Sequence, residues 1–248
     1  MPSPFLTYAW AASPAQLAVA AAVTLAFALL ARALRGVTGA GAVAGGCACF
    51  ALFAGAGPGT FATLAALFLM TWVSTRLGYR RKQELGLAER REGRNAGQVL
   101  ANLAVAALGA LLFAATGNRA WLVAAIAALA EAATDTVASE IGQSRRRDAL
   151  LITTWERVPA GTDGGITVSG TLAGLVTGVA IASVATVCGI LARNEMWIPV
   201  ATGFAGMLVD SLLGATIQRR GWISNQAVNL VSTLAAGVLA YGFLAVRR

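Results

Sequence analysis

Long apolar runs, broken by short polar segments, organise this chain from end to end. Eight runs are predicted as helical spans, near residues 15–34, 38–56, 58–78, 97–115, 119–141, 164–191, 197–218 and 222–245. Each is long enough to cross a hydrocarbon core of about 30 Å. The runs are continuous and rich in Ala, Leu and Gly, without the strict alternation of a membrane β-barrel. The pattern predicts an all-α, polytopic integral membrane helical bundle of seven to eight spans. It forms a single transmembrane domain over residues 1–248, with its longest loops at 79–96 and 142–163. Only Gly57-Pro58-Gly59 separates the second and third runs, which predicts a tight hairpin or a re-entrant pair. The first fourteen residues lack a basic stretch and the first arginine, Arg32, follows the first run. That run is therefore expected to stay as an anchor.

Composition sharpens this picture. Of the 248 residues 57% are hydrophobic and 12% charged, whereas soluble domains carry roughly 25% charged residues. A net charge of +8 would suggest nucleic acid in a soluble protein, but here the basic residues lie in short loops between apolar runs. Odd-numbered loops hold Arg32 and Arg35; Arg76, Arg80, Arg81, Lys82, Arg90, Arg91 and Arg94; Arg145, Arg146, Arg147 and Arg157; and Arg219 and Arg220. The other side holds only Arg119, Arg193, Arg247 and Arg248. The positive-inside rule makes the odd loops cytoplasmic and both termini external. A bacterial or archaeal inner membrane, with no nucleic-acid partner, is the expected setting, and a homodimer is compatible with it. The chain has no histidine, and Cys47, Cys49 and Cys188 lie in apolar runs. Chemistry is left to carboxylates, amides, hydroxyls and the backbone, with no disulfide framework implied.

Ionisable groups within a bilayer cost on the order of 2.5–3.5 kcal/mol each, so Glu131, Asp135 and Asp210 need a reason to be there. With a rise of about 1.5 Å per residue, Asp135 and Asp210 lie roughly 12–15 Å from the basic belt, and Asn102 and Asn229 lie at the same depth on helices running the other way. Faces converge too. Arg94, Asn95, Gln98 and Asn102 share an arc. Glu131, Asp135 and Ser139 form a stripe, as do Asp210, Gly214 and Gln218 with Ser211 nearby, and Asn225, Asn229 and Ser232 share a third. Glu140 points away from the Asp135 face, by about 140° on an ideal helix, and is kept as a candidate at the mouth. The amides could instead hydrogen-bond between helices, and Gly174 and Gly178 are read as helix-packing positions.

The segment Gly161-Thr162-Asp163-Gly164-Gly165-Ile166-Thr167 follows a cytoplasmic loop and opens the sixth run. Successive backbone N–H groups and a helix N-terminus favour phosphate, although no Walker A sequence occurs. Carboxylates beside phosphate suit Mg²⁺, or Mn²⁺ in its place, since Mg²⁺ usually takes one or two carboxylates plus phosphate oxygens.

These stretches carry a family resemblance. Residues 93–102 (GRNAGQVLAN), 133–142 (ATDTVASEIG), 161–167 (GTDGGIT), 206–218 (GMLVDSLLGATIQ) and 225–229 (NQAVN) resemble, in order, the membrane family of the plant chloroplast phytyl-phosphate kinase and animal transmembrane protein 19. That family is itself distantly similar to phytol and dolichol kinases and CDP-diacylglycerol synthase. The resemblance implies an isoprenoid-monophosphate kinase that uses CTP or another nucleoside triphosphate. One departure is the basic stretch before the Arg-Asn motif, where Lys82 is the only lysine.

The expected reaction is phosphoryl transfer to a phytyl or polyprenyl monophosphate at the membrane surface. Asp135 and Asp210, with Glu140 as a third ligand, are expected to hold the metal. Gly161, Thr162, Asp163, Gly164, Gly165 and Thr167 would cradle nucleotide phosphates. Arg94, Asn95, Gln98 and Asn102 would take the acceptor phosphate, with Ser139, Ser211, Gln218, Asn225 and Asn229 completing the wall. Rival readings are a lipid-phosphate cytidylyltransferase and a transporter or flippase of an anionic lipid.

Overall fold

The structure is a computed structural model that describes residues 13–144 and 148–246. Arg145, Arg146, Arg147, Arg247 and Arg248, used in the topology reading, lie outside the described residues. Among the described residues eight helical spans are long and apolar enough to cross a membrane. They are built on α1 (Pro14–Ala33), α2 (Gly39–Ala56), α3 (Pro58–Arg76), α5 (Ala96–Thr116), α6 (Arg119–Ser144), α7 (Val168–Val187), α8 (Trp197–Leu213), whose flanking turns extend its span to Arg193–Gln218, and α9 (Asn225–Val246), with a short α4 (Tyr79–Glu84) in the first long loop.

The doubtful pair, α2 and α3, forms two separate helices of 18 and 19 residues. Gly57 turns the chain between them at φ 86° and Pro58 starts α3 at the first helical position, where its missing N–H costs nothing. The sixth span is shorter than the apolar run, which began at 164. Gly165–Ile166 is instead strand β3, paired with β1 (Ala149–Leu151), which pairs on its other side with β2 (Arg157–Val158). Thr167 then caps α7 by accepting from the Gly170 N–H at 3.0 Å. The second long loop is thus a small antiparallel sheet rather than open coil. The eighth span starts at Asn225 rather than 222, behind a turn at Gly221 with φ 72°.

Helix α6 is the axis of the bundle, packed by α3, α5, α7, α8 and α9. A helix apolar all round belongs in an interior, and from Leu122 to Thr134 every residue of α6 is buried. Its many alanines let neighbours come close. An added Cβ at Gly174 would lie 2.9 Å from the Thr134 carbonyl, and one at Gly203 3.0 Å from the Glu131 nitrogen. Gly174 and Gly178 therefore pack α7 on α6, as expected from their spacing. Outward-facing side chains such as Leu25, Leu29, Val43 and Val176 are more than half exposed, a surface suited to lipid rather than water.

Loop-to-loop contacts place the basic loops at one end. The Arg94 N–H donates to the Gly36 carbonyl at 3.1 Å and the Thr38 N–H to the Arg94 carbonyl at 2.9 Å. Gly78 approaches Ser144, Gly142 approaches Thr167 and Gly164 approaches Ala215. At the opposite end Arg119 pairs with Glu195, with Nε–Oε1 at 3.0 Å and Nη2–Oε2 at 2.5 Å.

Candidate functional site

At the basic end α5, α6, α7, α8 and α9 surround a polar cavity of about 400 Å³. Asp135 enters from α6 and Asp210 from α8, and the two interact electrostatically across it. Arg94, just before α5, reaches the same space and acts electrostatically on Asp135. Asp210 is held from α9. Ser232 Oγ donates to its Oδ2 at 3.4 Å. Asn229, oriented as its neighbours require, donates to the same oxygen at 3.2 Å and to the Asn225 carbonyl at 3.1 Å. One Asp210 oxygen is thus fixed by neutral donors, which orients the carboxylate without cancelling its charge.

The glycine-rich loop closes the outer side: residues 161–167 all line the cavity. Gly164, at φ 76°, lies against the backbone of Ala215, and an added Cβ would collide with its nitrogen and Cβ. Glycine is needed there for conformation and for close approach. The partner in that contact is a π-helical turn, Gly214–Gln218, that ends α8. Such turns occur often at functional sites, and this one carries Gln218 into the wall. Partial burial pushes the Asp163 carboxyl up from its ordinary pKa, while the charge of Arg219 opposes that.

Ser139, Ser211, Gln98, Asn102, Gln218, Asn225 and Asn229 also line the cavity. Asn95 does not. It caps α5: its Oδ1 accepts from the Gln98 N–H at 3.0 Å, while the Asn95 N–H donates to Gln98 Oε1 at 2.9 Å. This reciprocal capping box satisfies two otherwise orphaned donors and accounts for both residues without a ligand. Gln98 Nε2 also donates to Glu89 Oε2 at 3.0 Å, and Glu89 is a wall residue that sequence reasoning missed. It lies in a charged loop, where one more acid carries no signal.

Glu140 lines the cavity but is engaged elsewhere. It pairs with Lys82 and accepts from Thr75 Oγ1 at 3.0 Å. Lys82, fully buried, also donates to the Ser74 and Thr75 carbonyls at 3.2 and 2.8 Å, so its three donors are all used. Among the described residues no group of three or more Asp, Glu or Cys side chains forms a metal centre. In this structure the Glu140 carboxylate, expected as a third ligand, is bonded to Lys82 and Thr75 and is not grouped with Asp135 and Asp210. The lone lysine fastens the α4 loop to α6.

Breaking a buried ion pair by removing one partner costs about 3–5 kcal/mol, whereas replacing both can be neutral. Lys82→Met is expected to destabilise by about that much, and Lys82→Met with Glu140→Leu to recover most of it. Thermal unfolding in detergent measures both, and a single variant as stable as the parent would refute the structural role.

Below the aspartates lies Glu131, 1% exposed, packed under Gly206, with no hydrogen-bond partner for its Oε1. It is one turn deeper than Asp135 and does not line the cavity.

Comparison with known proteins matches residues 22–237 to the family of integral membrane proteins DUF92. An uncharacterized membrane protein of Methanocaldococcus jannaschii is 36% identical over 179 residues, covering 71% of this chain and 72% of its own. An uncharacterized membrane protein of Synechocystis sp. is 30% identical over 187 residues, 73% of this chain and 72% of its own. Protein VTE6, chloroplastic, of Arabidopsis thaliana is 30% identical over 197 residues, 74% of this chain and 58% of its own. No solved structure matches.

Proposed function

The chain belongs to the DUF92 family of integral membrane proteins, and from that premise we propose that it is an isoprenyl-monophosphate kinase whose site faces the cytoplasm. The observation that carries this reading is the meeting of Asp135, Asp210, Arg94 and the 161–167 loop in one polar cavity at the basic end of the bundle. The family resemblance of its motifs supplies the substrate class.

Two carboxylates in a polar cavity fit a hard divalent cation that shares its remaining positions with phosphate oxygens and water. Asp135 and Asp210 would hold Mg²⁺, or Mn²⁺. When bound, the ion would neutralise charge on the transferring phosphoryl group. The chain's own groups do the rest. Arg94 offers its planar fork to the acceptor phosphate. The 161–167 loop and the start of α7 present N–H groups to the nucleotide phosphates. Asn229 and Ser232 keep Asp210 in place. An acceptor phosphate oxygen attacks the γ-phosphorus, a P–O bond forms, the bond to the β-phosphate oxygen breaks, and the nucleoside diphosphate leaves. The acceptor is already an anion, so no general base is required. Catalysis is then mainly positioning and electrostatics.

The test is purified protein in detergent with geranylgeranyl or phytyl phosphate, Mg²⁺ and each nucleoside triphosphate in turn. Prenyl diphosphate and nucleoside diphosphate are expected, with CTP the first nucleotide to try. Pyrophosphate with a cytidylylated lipid would establish a cytidylyltransferase instead. No turnover, with prenyl phosphate counter-transported in vesicles, would establish a transporter.

A further inference from the structure

We propose that the prenyl tail of the substrate lies in a second, apolar cavity between α1, α2, α3 and α5, and that Gly45 and Gly46 set the tail length it admits. This rests on the kinase reading for the identity of the substrate.

The five helices of the polar site leave α1, α2 and α3 without a part in it. Those three helices and α5 line a second, partly open cavity of about 310 Å³. Its inner wall is hydrocarbon, including Phe27, Leu64, Leu67, Phe68 and Leu103. Its mouth is cationic, with Arg35, Arg90, Arg91 and Arg94 around it. An apolar pocket with a cationic rim fits one occupant chemistry, a hydrocarbon chain ending in an anion. Arg76 lines it too, but stacks 3.7 Å over the Trp72 ring and donates to the Leu34 carbonyl at 2.6 Å.

The two cavities share part of a wall. Glu89, Arg94 and Asn102 belong to the walls of both. In the proposed arrangement a phosphate held by Arg94 on that shared wall faces Asp135 while its chain turns into the apolar space. A phospholipid that merely filled a gap would have no need of a wall shared with the polar site. Toward the deep end Phe27 meets Phe61 and Phe68 edge-on, with centroids 5.4 Å apart in each pair. From Arg35 back to Phe27 along α1 is about 12 Å at the helical rise.

Gly45 and Gly46 face this space from α2. An added Cβ would lie 3.6 Å from Val99 at Gly45, and 3.7 Å from Ala28 at Gly46. Both are ordinary van der Waals contacts, so the fold tolerates a side chain whose further atoms occupy the cavity. Neither glycine is required by backbone conformation, since both lie inside α2 without a positive φ. Their absent side chains serve the space.

The experiment uses the full chain in detergent with a geranylgeranyl phosphate bearing a terminal diazirine, irradiated and mapped by peptide mass spectrometry. Label is expected on α1, α2 or α3 near Phe27 and Leu64. Excess unlabelled geranylgeranyl phosphate should suppress it at least tenfold, and phosphatidic acid should not. Gly46→Leu should cut this labelling about tenfold and shift kcat/KM toward geranyl phosphate by a similar factor. Gly45→Leu should do the same if Gly46→Leu fails to fold. Gly242→Leu, on open α9 surface, should change nothing. Label on α7, α8 or α9, or equal suppression by phosphatidic acid, overturns the proposal. Labelling needs no nucleotide, so failure of the kinase reading shows separately, as absence of product with the tail still mapped to α1–α3.

Discussion

Asp135→Asn and Asp210→Asn should each lower turnover of prenyl phosphate by about 10³-fold or more while leaving the protein at least as stable as the parent. A bound metal ion supplies several kcal/mol of charge stabilisation, and about 1.4 kcal/mol corresponds to tenfold in rate. The stability half of the prediction follows from the placement of the two side chains. Two carboxylates facing each other in a partly buried space repel when both are ionised. Replacing either with a neutral isostere removes that repulsion and keeps the volume. Loss of activity with unchanged or raised thermal stability marks a group kept for function at a cost in stability. Initial rates and thermal unfolding in the same detergent decide it. Full activity in both variants would refute the metal assignment, and a large fall in stability would mean the acids are structural. Asn229→Leu, which removes one orienting donor from Asp210, should fall in between at about 10–100-fold, the usual cost of losing such a supporting contact.

Those aspartates were legible in the sequence for a physical reason. A carboxylate in an apolar run is expensive, so its presence is informative by itself, and counting residues from the basic loops fixes its depth because every residue of a helix advances it equally. The eight spans were legible for the same reason: hydrocarbon thickness sets a length that a run either meets or does not. Where backbone pairing across loops decided the outcome, the one-dimensional pattern was silent. Leu150 pairing with Arg157 and Ile166 joins segments with no shared periodicity, so the 142–163 stretch read as loop and the apolar count ran past Thr167 into β3.

Amides were ambiguous from the start. Asn95 and Gln98 sit three apart ahead of an apolar run, a spacing that serves a helix cap as well as a ligand, and the cap uses them both. Glu140 and Lys82 are 58 positions apart in sequence and only packing of α4 on α6 brings them together. The π-turn at 214–218 left no trace, because one extra residue in a turn changes no composition. The apolar cavity was the least visible feature. An empty volume is a property of four helices at once, and Gly45 and Gly46 look in sequence like any close-packing pair.

Gly93→Ala should destabilise the protein by about 2–5 kcal/mol, whereas Gly86→Ala should cost only about 1–2. Both glycines have positive φ, 86° and 71°, a region that costs an L-residue roughly 1–2 kcal/mol. They differ in what surrounds them. An added Cβ at Gly86 meets nothing within 4 Å, while at Gly93 it would lie 2.5 Å from the Val37 nitrogen and 2.6 Å from the Gly36 oxygen. Overpacking against backbone that cannot yield adds roughly 1–3 kcal/mol. The collision also falls on the contact that seats the next residue, since Arg94 is held by its N–H to the Gly36 carbonyl. Gly93→Ala should therefore lose at least tenfold in kcat/KM as well as stability, because Arg94, which lines both the polar and the apolar cavity, shifts with the backbone that seats it. Gly86→Ala should keep its activity. Equal effects from the two substitutions, in thermal unfolding and in rate, would show that only backbone conformation matters at Gly93 and that the docking of Arg94 against the α1–α2 turn contributes nothing.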